Sequence, residues 1–244
     1  MEKILQLKIS LNDIEPKIWR QFLVPNTISF NELHNIIQII MGWENYHLWE
    51  FKIDNTTITP PDEEGYNLAE SALDKLMKST EFRKMIEEQD LSKSTSLLNI
   101  NKANKILKKL KAEEKNKNQF NVKTPINKLI NKEGIKFSYR YDFGDGWEHT
   151  LIIEKILDKN ELQEYPNCIA GERACPPEDC GSIPGYYELM EIRLNKKHPK
   201  YKEQIKGWLG EDYNPEYFDI NKVNEKFNKI NEFKKEPKKL WGIK

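Results

Sequence analysis

Residues 135–156 read IKFSYRYDFGDGWEHTLIIEKI and hold the clearest sheet pattern in the chain. Phe137, Tyr139, Tyr141 and Phe143 fall on one face, and Trp147, His149, Leu151 and Ile153 repeat the alternation beyond a turn. Apolar residues at every second position mark a strand with one buried side. Gly144-Asp145-Gly146 between the two runs predicts a tight hairpin, with its glycines supplying positive φ angles.

Towards the N-terminus the same period recurs. Leu5, Leu7, Ile9 and Leu11 predict one strand, and Ile18, Arg20, Phe22 and Val24 predict a second across the turn NDIEP. SFNELHNIIQIIMGW then changes to a helical period through Phe30, Leu33, Ile36, Ile37, Ile40 and Met41. Ser29 and Glu32 have capping-box spacing, and Gly42 is a natural stop. HLWEFKID predicts a third strand with His47, Trp49, Phe51 and Ile53 in phase.

Residues 60–132 break this rhythm. They open on PPDEEG, pass through weakly amphipathic stretches (LAESALDKLMKS, TEFRKMIEEQ) and end near low complexity. From Lys102 to Lys132 there are ten lysines and two glutamates, which fits a solvated, Lys/Asn-rich helical insertion. Beyond the hairpin come a cysteine-bearing loop and three helical stretches, the last with Asp219 as N-cap and Ile220, Val223, Phe227 and Ile230 as its stripe. The expected architecture is α+β: a mostly antiparallel sheet in the order β-β-α-β, insertion, β-β, with helices on one face and a helical C-terminal part. Residues 1–59 and 133–244 would form one domain around the insertion at 60–132.

Of the 244 residues 38% are hydrophobic and 32% charged, and the formal net charge is zero, so bulk charge does not point to nucleic acid. No apolar run reaches the roughly 18 residues of a membrane span. MEKILQLKIS is already strand pattern and carries no secretory leader, so a cytoplasmic address is expected. Three cysteines, an odd number, do not make a disulfide framework.

Three constellations carry potential chemistry. Cys168, Cys175 and Cys180 all lie in YPNCIAGERACPPEDCGSIPGYY, residues 165–187, and offer three soft ligands for zinc. Their six- and four-residue spacings are wider than the usual zinc signature, and His149 would be the fourth ligand. In the alternative, His149 is a core histidine and the cysteines are loop packing. Asp142 and Asp145 flank the hairpin turn, while Glu178 and Asp179 sit in the cysteine loop; should the loops converge, these carboxylates would hold magnesium for phosphodiester hydrolysis. Otherwise they serve turns and caps. Trp147, Tyr141 and Tyr186 are the aromatic candidates for a binding surface, set against a role as core packing. No Gly-rich phosphate loop, no G-x-S-x-G and no H-E-x-x-H occurs.

LKISLNDIEPKIWRQFLVP, IIQIIMGWENYHLWEF, YRYDFGDGWEHTLIIE and CIAGERACPPEDCGSIPGYYELM, in that order, resemble the plasmid ORF-three-like family. The resemblance covers residues 3–55 and 135–230. It implies a single α+β domain recurrent on plasmids and mobile elements, some members of which carry an insertion-element, resolvase-type (TnpR) label. The residues do not support a recombinase. The four histidines are followed at the third position by Ile37, Glu50, Ile152 and Tyr201, never by arginine, and Ser10 has only Arg20 nearby. With no complete catalytic set legible, the leading expectation is a non-enzymatic binding or accessory domain. Its surface would be formed by the YDFGDGW and ACPPEDCG loops, and its partner would be a protein or nucleic acid, not a membrane. The alternative is a metal-dependent phosphoryl-transfer enzyme using Asp142, Asp145, Glu178 and Asp179.

Overall fold

The computed structural model describes residues 2–60 and 120–235. Nearly all of these belong to one compact unit that spans residues 1–59 and 122–244. The helices expected from LAESALDKLMKS and TEFRKMIEEQ lie outside the described residues.

Seven strands form one sheet: β1 (Lys3–Leu11), β2 (Trp19–Pro25), β3 (Trp49–Ile53), β4 (Thr56–Ile58), β5 (Lys136–Tyr141), β6 (Trp147–Asp158) and β7 (Asn167–Glu172). Their spatial order is β4-β3-β5-β6-β1-β2-β7, and every neighbouring pair is antiparallel. The helices are α1 (Phe30–Met41), α2 (Ser182–Leu194), a wide π-type helix α3 (Tyr201–Leu209) and α4 (Ile220–Lys235). The fold is therefore α+β, as the period-2 runs predict.

One face of the sheet is dry. Leu7, Ile9, Phe22, Phe51, Tyr139, Tyr141, Trp147, Leu151 and Ile153 are all buried, whereas Gln6, Lys8, Ser10 and Gln21 on the other face stay partly exposed. An antiparallel sheet tolerates water on one side because its backbone pairing does not depend on both faces being covered. Helix α1 lies against the dry face, with the Phe30 ring 5.4 Å from Phe51 and Gln38 Nε2 donating to the Tyr139 hydroxyl at 2.9 Å. Its ends are set as expected. Ser29 Oγ accepts from Glu32 N, Glu32 Oε2 accepts from Ser29 N, and Gly42 closes the helix at φ 96°. Such a cap contributes about 0.5–2 kcal/mol.

Two local expectations change. The segment 122–132 belongs to the domain and not to the insertion. Ile126 N donates to Ile28 O at 2.8 Å, Phe30 N to Thr124 O at 3.2 Å, and Ile126 and Ile130 are fully buried. Two isoleucines are too little apolar signal to stand out in a lysine-rich stretch. At the hairpin, the positive φ angles fall on Asp142 (54°) and Gly146 (70°), not on Gly144 or Asp145. Asp142 tolerates the left-handed region because its Oδ1 accepts from the Gly144 and Asp145 N–H groups at 2.9 and 3.2 Å.

Arg20 ties these parts together. It sits at an inward position of β2 and is 1% exposed. Its guanidinium donates to the carbonyls of Ile40 at 2.7 Å, Trp19 at 2.8 Å, Glu172 at 2.6 Å and Arg173 at 2.7 Å, and lies 4.0 Å from the Phe218 ring. The planar fork thus joins the end of α1 to the end of β7. Gly171 passes beneath, where a Cβ would come within 2.6 Å of Phe218 and 2.8 Å of Arg20. Two loops leave this junction: residues 42–48 after α1, and residues 173–181 after β7.

Candidate metal centre

Those two loops meet the β5–β6 hairpin. From the first comes His47, from the hairpin Asp142, and from the cysteine loop Glu178 and Asp179. His47 Nε2 lies 3.5 Å from Asp142 Oδ2, 3.2 Å from Asp179 Oδ1 and 3.8 Å from Glu178 Oε2. His47, Asp142 and Asp179 can each offer one ligand atom, with all three atoms within 4.8 Å of one another; among the described residues no other such set of three exists.

Each of the three carboxylates is held by a partner that leaves an oxygen facing the imidazole. Asp142 spends Oδ1 on its own turn, so Oδ2 is directed to the histidine. Glu178 Oε1 accepts from the Glu44 N–H and the Tyr141 hydroxyl, each at 2.9 Å. Asp179 Oδ2 accepts from the Tyr46 hydroxyl at 2.9 Å. Asp145 points across instead, accepting from Gly181 N at 3.1 Å, and so fastens hairpin to loop. The remaining atoms, His47 Nε2 and Glu178 Oε2, are buried and make no hydrogen bond among the described residues, although Nε2 stands within ion-pair range of all three carboxylates. Buried polar atoms are nearly always satisfied, and a cation placed between these two would satisfy both.

The electrostatics agree. Asp142 and Glu178 side chains are only 8% and 11% exposed, and among the described residues no lysine or arginine pairs with either. Burial pushes the Glu178 carboxyl above the usual carboxylate range, against the pull of the Glu44 N–H and the Tyr141 hydroxyl. Burial, followed by the bond to Glu178, raises the Tyr141 phenol, which therefore stays a donor. Carboxylates crowded this way share a proton or hold a cation. One imidazole nitrogen with carboxylate oxygens is a donor set for Zn²⁺ or Mn²⁺, and the carboxylates alone suit Mg²⁺.

The convergence of the hairpin and cysteine loops is the condition on which the carboxylate reading rested, and Asp142, Glu178 and Asp179 meet. The cysteines do not. Cys168 lies in β7, its Sγ 3.6 Å from the carbonyls of Gln21 and Ala170. Cys175 is buried beside Arg20, and Cys180 is partly buried just before α2. Burial raises all three thiols, to about 11 for Cys168 and about 12 for Cys180. His149 is fully buried within the sheet, with Nδ1 3.2 Å from Tyr139 O and its ring edge-on to Trp43 at 5.2 Å. Burial holds its imidazole neutral, with a pKa of about 4.

The aromatic surface also needs correction. Trp147, Tyr141 and Tyr186 are 1%, 0% and 2% exposed, because they occupy inward strand and helix positions. They form the floor beneath the loops and are not a contact face.

His47 was hidden by its setting. Its alternation with Trp49 and Phe51 assigns it to β3, but the strand starts at Trp49. Asn45, in the left-handed region at φ 62°, turns the chain just before it, and the imidazole lies edge-on to Tyr141 with centroids 5.7 Å apart.

Residues 3–222 match the family described as plasmid pRiA4b ORF-3-like protein. The chain belongs to that family. Among relatives of this ORF-3-like domain, the "uncharacterized protein y4hQ" of Sinorhizobium fredii (strain NBRC 101917 / NGR234) is 28% identical over 223 residues, covering 91% of this chain and 89% of that protein. The crystal structure of MM3350, a protein of unknown function from Methanosarcina mazei Go1, shares 30% identity. It superposes with a TM-score of 0.61 over 91% of this chain and 97% of its own. A solved structure 30% identical to this chain thus shares the α+β fold described above. Among the described residues no helix is long and apolar enough to cross a membrane.

Proposed function

We propose that this ORF-3-like domain binds one divalent cation through His47, Asp142, Glu178 and Asp179 and uses it for phosphoryl transfer, hydrolysing a phosphate ester. The observation that carries the reading is that two buried atoms, His47 Nε2 and Glu178 Oε2, neither in a hydrogen bond among the described residues, face two further carboxylates. The sequence alone favours a binding module because no catalytic set is contiguous; the meeting of three loops is what supports the enzyme reading.

The cation's chemistry would be twofold: polarising a phosphoryl oxygen and lowering the pKa of a bound water. In such a hydrolysis the water oxygen would bond to phosphorus while the ester oxygen left with the bonding electron pair and took up the proton released by the water, with His47, Asp142, Glu178 and Asp179 the residues that would hold the cation. Asp142 and Glu178 are the closed side of the site. Asp179, with its side chain 61% exposed, is the open side from which substrate arrives. The Tyr46 hydroxyl orients Asp179, and the Tyr141 hydroxyl orients Glu178. Arg173 and Arg140 are engaged elsewhere, with Glu216 and with Glu148 at 3.4 Å.

The test is cleavage of bis-p-nitrophenyl phosphate and p-nitrophenyl phosphate by metal-free protein supplied with Mn²⁺, Mg²⁺ or Zn²⁺. Turnover should require the metal and fall at least about a hundredfold in Asp142→Asn and His47→Ala. Metal-independent turnover, or none with either ester and every cation, refutes the enzyme reading.

A further inference from the structure

Beside the candidate cation site runs a cleft of about 560 Å³. Its volume lies within the roughly 300–1,000 Å³ of small-molecule sites. Glu178, Asp179 and Tyr46 are part of its wall, and so are Lys222 and Lys226 of α4. Aliphatic and proline side chains line much of the rest, together with aromatic ones. Of these, Trp208 and Tyr217 are 50% and 47% exposed.

The wall has features that its fold does not require. Trp208 belongs to α3, a π-type helix of nine residues. Such wide turns are rare and recur at functional sites. The helix buries Tyr201 and Ile205 against Leu189 and Ile192 of α2, while the indole of Trp208 is left half in water. Lys222 lies 5.3 Å from the Tyr217 ring centroid, and neither Lys222 nor Lys226 is in an ion pair among the described residues. The acidic neighbour Asp219 is engaged as the N-cap of α4, accepting from Asn221 N at 3.0 Å and Lys222 N at 3.2 Å. One cleft therefore combines a flat exposed ring, two lysines outside any ion pair among the described residues, one of them over the Tyr217 ring, and the open side of a candidate cation site.

These three features together match one ligand chemistry. We infer that the cleft binds a nucleoside phosphate, its base stacked on Trp208 and its phosphate held between the Lys222 and Lys226 ammonium groups and the cation at Asp179. A π-face recognises any base, ammonium groups pair with phosphate as point charges, and the cation takes a phosphoryl oxygen. The inference rests on the proposed metal site for one of its three contacts; the other two stand on the cleft alone. A free nucleotide and the end of a single strand present the same unit.

The experiment is calorimetric titration of Mn²⁺-loaded protein with AMP, with adenosine, with ribose 5-phosphate and with a single-stranded tetranucleotide bearing a 5′-phosphate. AMP should bind at least about tenfold more tightly than adenosine or ribose 5-phosphate, because each lacks one contact. Trp208→Ala should weaken AMP about tenfold or more and leave Mn²⁺ stoichiometry and Tm unchanged. Lys222→Ala/Lys226→Ala should weaken AMP while sparing adenosine. Tighter binding of the tetranucleotide would identify the source as a strand end, and equal or weaker binding a free nucleotide; both support the assignment. If Mn²⁺ binds but AMP does not, or if AMP binding is indifferent to Trp208→Ala, the inference fails and the metal site stands. If neither Mn²⁺ nor AMP binds, both fail.

Discussion

Two buried histidines should make this domain acid-sensitive well above the range in which carboxylates titrate. His34 is 2% exposed, with Nδ1 2.8 Å from the Tyr139 hydroxyl, Nε2 2.5 Å from Asn45 Oδ1 and its ring stacked on Trp49 at 4.2 Å. His149 is 0% exposed. Burial lowers each imidazole from 6.5 to about 4. Between those values the unfolded chain binds protons that the folded one refuses. Stability is therefore fully present above about pH 6.5 and is lost as pH falls towards 4. At pH 5 each histidine costs about 2 kcal/mol relative to pH 7, so the pair costs about 4 kcal/mol. That is a large part of the 5–15 kcal/mol typical of a domain. Urea unfolding with EDTA present, at pH 5, 6 and 7, measures it. His34→Gln and His149→Gln should each lower stability at pH 7 and remove about half of the pH dependence between 7 and 5. A pH dependence unchanged in both variants would refute the reasoning, since it would place the proton uptake elsewhere.

Other perturbations test other parts of the structure. Arg20→Met leaves four carbonyls without their donor and should destabilise by roughly 3 kcal/mol or more. Arg20→Lys should not rescue it, because an ammonium cannot present the same fork; chemical denaturation reads both. Gly185→Ala would drive a Cβ into the Cys180 carbonyl oxygen. It should cost about 1–3 kcal/mol and weaken cation binding by shifting the adjoining Asp179. Asn224 both donates to Cys168 O at 3.0 Å and accepts from Cys168 N at 2.8 Å, filling the open edge of β7. Asn224→Ala should therefore cost about 1–3 kcal/mol and raise amide exchange in β7 without altering metal binding.

The sheet was legible because its inner face obeys a strict period. Tyr139, Tyr141, Trp147 and His149 alternate in sequence and pair across β5 and β6 as Tyr139–His149 and Tyr141–Trp147. The ends of α1 were equally legible, since Ser29, Glu32 and Gly42 each act locally. The site was only half legible. Asp142, Glu178 and Asp179 stand out as carboxylates in glycine- and proline-rich loops, but their meeting depends on Arg20 holding β7 to α1, and no local pattern encodes a contact between residues 20 and 172. His47 obeyed strand periodicity two residues beyond the real strand, so its meeting with the carboxylates emerges only in three dimensions. The cysteines are close in sequence but sit on a strand, at a buried corner and just before a helix, and among the described residues they form no cluster at metal-ligand spacing. The same alternation that marks Trp147 and Tyr141 as notable also buries them.

The most direct test is to titrate metal-stripped, untagged protein with Mn²⁺ and Zn²⁺ by calorimetry, with bound metal counted by mass spectrometry. The account predicts one cation per chain. Binding should be lost or weakened at least about a hundredfold in Asp142→Asn and His47→Ala, and retained when Cys168, Cys175 and Cys180 are all replaced by serine. Asparagine at 142 keeps the turn acceptor and tolerates the left-handed backbone, so the loss would report the ligand and not the fold. No cation in the parent protein, or a cation that survives Asp142→Asn and leaves with the cysteines, would contradict it.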